Sequence, residues 1–348
     1  MNLITNSLIS VLPDPPVSFT VETSLSKELL KLSFKDRLAI EEEIHGVRCG
    51  ATVETPELLD RSLSEFDLAI NERKENDAYS ELLRNVIPTS SHDDEPVKSK
   101  CYLNDPNVRL RFLRCDCFGV QRAVQRLINF LEFTSEVFGD FVAERPISVF
   151  DFNSKEEESA LQNSRNQYLP FRDRSGRRVF TGVGHCDFQL SHILRFKIMI
   201  YLHWVVSEDV ETQRKGAVIL AWIFDETDDE TKNWNFFRKK AIRKSARKYQ
   251  QRIYDAIPVR VTSIQHFYPE TMFFRALSAL YVFSMSPAFR PYYKVHFGTS
   301  NYSWSSSRFR FSSRLLGRMH IRCGRLSEYN QTKRYTWFYS LAFSPSCF

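Results

Sequence analysis

His185-Cys186 sets a candidate thiolate nucleophile beside a candidate base, the pairing that can open a phosphate-cradling loop. Such a loop needs an Arg at position 192 to hold the phosphate, and His192 stands there. Gly182-Val183-Gly184 starts like a dinucleotide-binding turn, but Asp187 occupies the place of its third glycine. No G-x-S-x-G elbow is present to expose a serine nucleophile. Cys115 and Cys117 flank Asp116, yet no second Cys or His pair follows at the spacing of a closed zinc site. They read as structural thiols, and no metal or other cofactor is expected. These absences point away from an enzyme and towards a protein that binds.

Two stretches could do the binding. Met272, Phe273, Phe274, Leu277, Leu280 and Tyr281 belong to a segment that is apolar nearly all round. A helix of that kind is either buried on every side or lies between a core and something oily. The second stretch, 236–254, carries Arg238, Lys239, Lys240, Arg243, Lys244, Arg247, Lys248 and Arg252. One reading is a solvated face balanced by the acidic run Asp225 to Glu230 just upstream. The other is a docking face for an anionic membrane, worth about 1 kcal/mol per basic residue at the surface. Only a few of these cations could face a bilayer together, so attachment would be weak and reversible.

Charge and composition narrow the class. The net charge is +6, but residues 299–348 alone hold eight Arg and Lys against Glu328. The rest of the chain is therefore slightly acidic, and a nucleic-acid partner is not expected for the protein as a whole. Hydrophobic residues make up 43% of the 348, with 29 Phe and 14 Tyr, enough for a large core and for an apolar cavity within it. Seven cysteines fit reduced thiols better than a disulfide framework. The opening MNLITNSLISVLPDPP lacks the basic start of a secretory signal. The longest apolar run, Leu194 to Val206, is broken by Arg195, Lys197 and His203 and falls short of the roughly 18–20 residues that span a bilayer. A cytoplasmic protein, at most transiently peripheral to membranes, is expected.

The elements that must position these residues follow from periodicity. Residues 1–24 read as a flexible leader. A helical extension over 25–87 holds a helix from Lys27 to Ile44, with Leu29, Leu30, Phe34, Leu38 and Ile44 on one stripe. A second starts at Thr55-Pro56, and a third covers Ala78 to Val86. Residues 88–100 are a linker. A helical lead-in over 101–150 opens at Asp105-Pro106 and continues in the amphipathic Val120–Phe138, which Gly139 ends. After a polar helix at Lys155–Asn166 come strands at Arg178–Val183, Ala217–Phe224, Val259–Gln265 and Tyr293–Phe297. Helices at Leu190–Ser207, Asn235–Ala256 and Thr271–Met285 separate them. Ala217–Phe224 is apolar at every position, as suits a strand buried on both faces. The order predicts an α/β fold with a mostly parallel sheet.

Several of these segments together resemble the CRAL-TRIO family of lipid-binding and lipid-transfer proteins. Leu110-Arg111-Phe112-Leu113-Arg114 and Phe118 are similar to that family's helical lead-in, with Gly119 where an Asp is usual. Asp173–Gly184, the apolar strand running to Asp225, the helix end Tyr249–Arg252 and the closing Lys294–Gly298 are similar to its lipid-binding domain. The likeness covers a little over half the chain. It implies an α/β sandwich over 151–298 whose sheet floors an apolar pocket, closed by a movable helix at the 271–285 segment. It implies a cargo such as a phospholipid, a retinoid or a tocopherol. Arg252 and Lys294 match headgroup-binding positions of phosphatidylinositol-binding members, while Gln250 and Gln251 depart from the pattern.

The function expected is thus to hold a small hydrophobic ligand or phospholipid and to transfer or present it at membranes. The rival is a lipid-sensing adaptor without transfer activity, with the helical extension recruiting a partner. Residues 299–348 mix Ser, Arg and aromatics without a sustained period and should not belong to the lipid-binding fold. Limited proteolysis is expected to clip this tail first and leave a core ending near Gly298. A tail as resistant as the core would refute that boundary.

Overall fold

The computed structural model describes residues 21–72, 102–164, 166–183, 191–222 and 252–298. The helix predicted at 78–86, the linker, most of the basic stretch and the tail lie outside them.

The expected Lys27–Ile44 helix is two helices, α1 (Val21–Leu30) and α2 (Phe34–Ile44). Ser33 divides them, because its side chain accepts from the Asp36 amide at 3.1 Å and so caps α2. The predicted apolar stripe splits with it. Ile44 is buried, but Leu30, Phe34 and Leu38 are exposed. Helix α3 (Pro56–Asn71) starts where Thr55 accepts from the Leu58 amide at 3.2 Å. Helix α4 (Pro106–Cys115) starts where Asp105 accepts from the Asn107 amide at 2.9 Å. Helix α5 (Val120–Phe138) has no side-chain cap at Gly119, as the missing Asp there foretells. It buries Ala123, Val124, Leu127, Ile128, Phe130, Leu131 and Phe133, and Gly139 closes it with φ 108°. Helix α6 (Lys155–Gln162) stops short of the predicted end, and the chain turns into a strand.

The five strands are β1 (Asn166–Arg172), β2 (Arg178–Val183), β3 (Ala217–Trp222), β4 (Val261–Pro269) and β5 (Tyr293–Gly298), arranged in that order. Strand β1 is antiparallel to β2, and the other neighbours are parallel. Periodicity did not single out β1. Pro170 interrupts its middle, where the pairing register shifts, and an edge strand tolerates that loss of a donor. Between strands lie α7 (His192–Val206), the short α8 (Val210–Lys215) and α9 (Met272–Ser284). Gly216 at the start of β3 must be glycine. Its φ is +79°, and a Cβ there would sit 2.4 Å from the Arg260 carbonyl oxygen.

Register fixes what the sheet presents to its helices. Tyr168, Phe180, Ile219, Ile264 and Tyr293 are partners in one row across all five strands. This row joins α5 and α7 in the main core through Phe130, Phe133, Phe196, Ile200 and Trp204. Phe130 stacks on Trp204 at 5.1 Å, and Phe133 meets Phe196 edge-on at 6.1 Å.

The N-terminal region 21–72 is tied into this body by buried charge pairs. Glu54 accepts two hydrogen bonds from Arg114 (2.9 and 3.0 Å) and two from Arg214 (2.7 and 2.8 Å). Arg114 also donates to Gln213 at 2.6 Å. Glu43 accepts from Arg260 at 2.7 Å and from the Gly50 amide at 3.1 Å. Burial alone would raise the Glu54 carboxyl, but the hydrogen bonds from Arg214 and Arg114 outweigh it and hold it down at about 2. A depressed carboxylate stabilises the fold above its unfolded range and stops doing so as pH falls through the folded value. Thermal melts should therefore show a Glu54 contribution that is full at neutral pH and fades between pH about 4.5 and about 2. Glu54→Ala is expected to cost about 3 kcal/mol at pH 7, since it leaves Arg114 buried and uncompensated.

Candidate functional site

Helix α9 lies on the sheet as a roof on a floor. Thr271 caps it, accepting from the Phe274 amide at 3.4 Å. Phe273 and Phe274 are buried, their rings 5.0 Å apart, with Phe274 6.0 Å from Tyr268 of β4. Leu277 packs half-buried against the same cluster with Val295 and Phe297. One turn on, the Tyr281 ring lies 4.3 Å from His266 and stacks 5.5 Å from Tyr293. Its hydroxyl is 2.7 Å from that of Tyr254, in the helical turn 252–256. Leu280 is half-buried, and Met272 is 61% exposed.

The floor beneath is a second register row: Gly182, Ala221, His266 and Val295. Gly182 and Ala221 are only half-buried, although the row beside them is the core. A Cβ at Gly182 would lie 2.9 Å from the Asn166 Oδ1, so the Asn166 side chain covers that end of the row. His266 is buried, and its Nδ1 sits 2.9 Å from the Tyr268 hydroxyl. Burial pushes its imidazole down to about 3, so the ring is neutral at physiological pH. At the β1 end, His203 of α7 lies 4.9 Å from Phe180 and 5.4 Å from Tyr168, ring to ring. Burial holds it down at about 4, against the hydrogen bond to the Met199 carbonyl.

The surface between α9, α7 and the sheet is thus aromatic and apolar, with uncharged hydrogen-bonding tips. The rings of Phe273 and Phe274 rest against Tyr268, so α9 sits directly on the floor. A groove of about 500 Å³ lies elsewhere, between α3 and the start of α5, lined by Leu68, Ala69, Phe118, Val120 and Arg122 and edged by Glu65.

Of the residues expected to form the gate, Phe273, Phe274, Leu277 and Tyr281 come together on the inner face of α9, while Met272 turns outward. Arg252 and Lys294 are not brought together. Arg252 donates to Glu136 of α5 at 2.5 Å and lies 5.4 Å from the Phe133 ring centre. Lys294 donates to Glu41 of α2 at 3.0 Å, and its row with Gln265 and Leu220 lies on the opposite face of the sheet from His266. Lys239, Lys240, Arg243, Lys244, Arg247 and Lys248, together with His185 and Cys186, fall outside the described residues. Cys115 is buried with its thiol pushed up to about 12, an inert packing group. No described helix is long and apolar enough to cross a membrane. Sequence reasoning missed His203, Tyr254, His266 and Tyr268. The signal for the last two was the alternation Ile264, His266, Tyr268, which continues past the predicted strand end.

No protein-family profile matches the chain, and no curated protein matches it.

The Tyr254–Tyr281 contact is the polar link between α9 and the body. Tyr281→Phe is expected to cost about 1 kcal/mol in denaturant unfolding, because one hydroxyl loses its partner. Tyr254→Phe should cost about the same, and the double variant less than the two together. Additive losses would mean that the two hydroxyls do not interact.

Proposed function

We propose that the protein binds one lipid-like molecule between α9 and the sheet and transfers or presents it at membranes, in the manner of the CRAL-TRIO proteins its sequence resembles. The observation that supports this reading is the apolar inner face of α9, with Phe273, Phe274, Leu277 and Tyr281 laid against Tyr268, His266 and Tyr293 of the sheet. In this proposal α9 is the gate, with Phe273, Phe274, Leu277 and Tyr281 meeting the cargo. The basic stretch Lys239–Lys248 docks reversibly on anionic lipid. Arg252 and Lys294 are occupied by carboxylates on different sides of the sheet, which favours cargo recognition without a phosphoinositide headgroup.

The energetics explain why a gate is needed. Burying an acyl chain is worth about 0.8 kcal/mol per methylene, so a sixteen-carbon chain gains on the order of 12 kcal/mol. Escape into water from such a site is very slow. Release at a bilayer, with the roof displaced, removes that barrier because the chain never meets water.

A second reading, a lipid-sensing adaptor, draws on the groove between α3 and α5, where Leu68 is 60% exposed. Transfer between vesicles separates the two, since the adaptor binds lipid without moving it.

Organic extraction of the purified protein should release a near-stoichiometric hydrophobic compound, identified by mass spectrometry. Phe274→Asp should lower its retention by wetting the inner face of α9. If nothing is extracted, and added phospholipids, retinoids and tocopherols neither bind nor transfer, the reading is wrong.

A further inference from the structure

Of the sheet's two edges, one is guarded against further pairing and the other is not. On the β1 edge Pro170 removes a donor, and the register shifts between Tyr168 and Arg172. On the β5 edge Tyr293–Gly298 runs without proline, and its register with β4 is unbroken from Tyr293 opposite Ile264 to Gly298 opposite Pro269. The Gly298 carbonyl accepts from the Glu270 amide at 2.8 Å, so the backbone there turns towards β4. Alternation along the strand then directs the N–H and C=O groups of Val295 and Phe297 outward, where no described residue pairs with them.

Side chains make this edge selective on both faces of the sheet. Val295 and Phe297 are half-buried and join Phe273, Phe274 and Leu277 of α9 in one apolar cluster. On the other face Trp222, Phe267 and His296 share a register row and stack, their rings 5.1 and 4.6 Å apart. That spacing is about the 4.8 Å between neighbouring strands, so a ring on a further strand would continue the stack. His296 is its last ring and is exposed. Lys294, on the same face, donates to Glu41 at 3.0 and 3.2 Å. Burial, and after it the charges of Lys294 and His45, hold the His296 imidazole below its ordinary value, so the charges that reach this ring are cationic.

We propose that the β5 edge takes an extended peptide segment of a partner protein as an added strand, with an aromatic residue opposite His296 and an acidic residue opposite Lys294. Apolar residues between them would face Val295 and Phe297. Main-chain hydrogen bonds supply the attachment, and the alternate side chains select the sequence. A second copy of this chain fits the edge poorly. Pairing about a two-fold axis would keep each face of the sheet continuous, so Lys294 and His296 would meet their own duplicates, basic against basic. The inference is independent of any cargo under α9, and either can fail alone.

The test uses the full-length protein and the end-blocked, dye-labelled peptide Val-Glu-Val-Trp-Val-Glu-Val. An acid on each side of its ring lets it read the edge in either direction. Fluorescence anisotropy should show saturable binding. Lys in place of both Glu residues should weaken it about fivefold, the scale of a cross-strand charge pair, and His296→Glu in the protein should reverse that preference. Two further peptides carry N-methyl groups on alternate residues, one set each. One should lose binding, because its donors towards β5 are gone, and the other should keep it. Val295→Pro removes an outward donor and should abolish binding. His296→Glu changes only an exposed side chain, so the charge exchange decides the matter even where the proline variant fails to fold. Absence of saturable binding, equal binding by the two methylated peptides, or a charge preference that His296→Glu leaves unmoved overturns the proposal. So does a dimer in sedimentation that Val295→Pro turns into a monomer, which would give the edge to a second copy.

Discussion

The row Tyr168, Phe180, Ile219, Ile264, Tyr293 runs across every strand, and its apolar centre must be kept from water. A sheet that is parallel over four of its five strands cannot leave such a face open, because parallel strands need crossovers and these place helices on its faces. Helix α7 covers the β1 end of the row with His203, and α9 covers the β5 end with Tyr281. Helix α5 backs them both through Phe130 and Phe133.

Charge is distributed around this interior, not within it. His203 and His266 are held neutral by burial, at about 4 and about 3, and Tyr254, Tyr281 and Ser278 add uncharged polar groups under the helices. The guanidinium groups sit at the margins, each against a carboxylate: Arg114 and Arg214 on Glu54, Arg260 on Glu43, Arg252 on Glu136. Pairing is what makes these charges tolerable at low exposure, and it also leaves them poorly placed to receive an anionic ligand. The Glu54 and Glu43 pairs bind the region 21–72 to the body, so that region is part of the folded unit and not a free arm.

Much of this was legible in the residues. Four of the strands, the amphipathic α5 and the caps at Thr55 and Asp105 follow from periodicity and capping chemistry, and all appear near their expected bounds. What was lost went for identifiable reasons. Strand β1 hid behind Pro170, whose penalty in a strand depends on whether the strand lies at an edge, a fact of topology. The break at Ser33 hid because Leu29, Leu30, Phe34, Leu38 and Ile44 suggest one stripe, whereas a capping side chain redirects the helix locally. Arg252 and Lys294 could be placed in the sequence but not on faces of the sheet, and the face decides whether two cations share a ligand. The neutral His and Tyr groups escaped notice because a lone histidine in an apolar run carries no motif. Only the Met199 carbonyl and the Tyr168 ring give His203 a defined tautomer and a neighbour.

The composition of α9 is explained by its two sides having different work. Phe273, Phe274, Ser278 and Val282 are buried towards the sheet, which a packed core requires. On the other side Met272 and Phe283 are 61% and 41% exposed. Single exposed apolar residues are ordinary, but here they flank a helix whose inner face is held mainly by ring contacts and one hydroxyl pair. A helix with apolar residues on both sides loses less on leaving the sheet if its new surroundings are also apolar. Under the proposed function that medium is the bilayer, where the outer residues enter first and the inner ones follow. The same motion would uncover the cargo of the proposed function. Departure would then exchange one apolar surrounding for another without passing through bulk water.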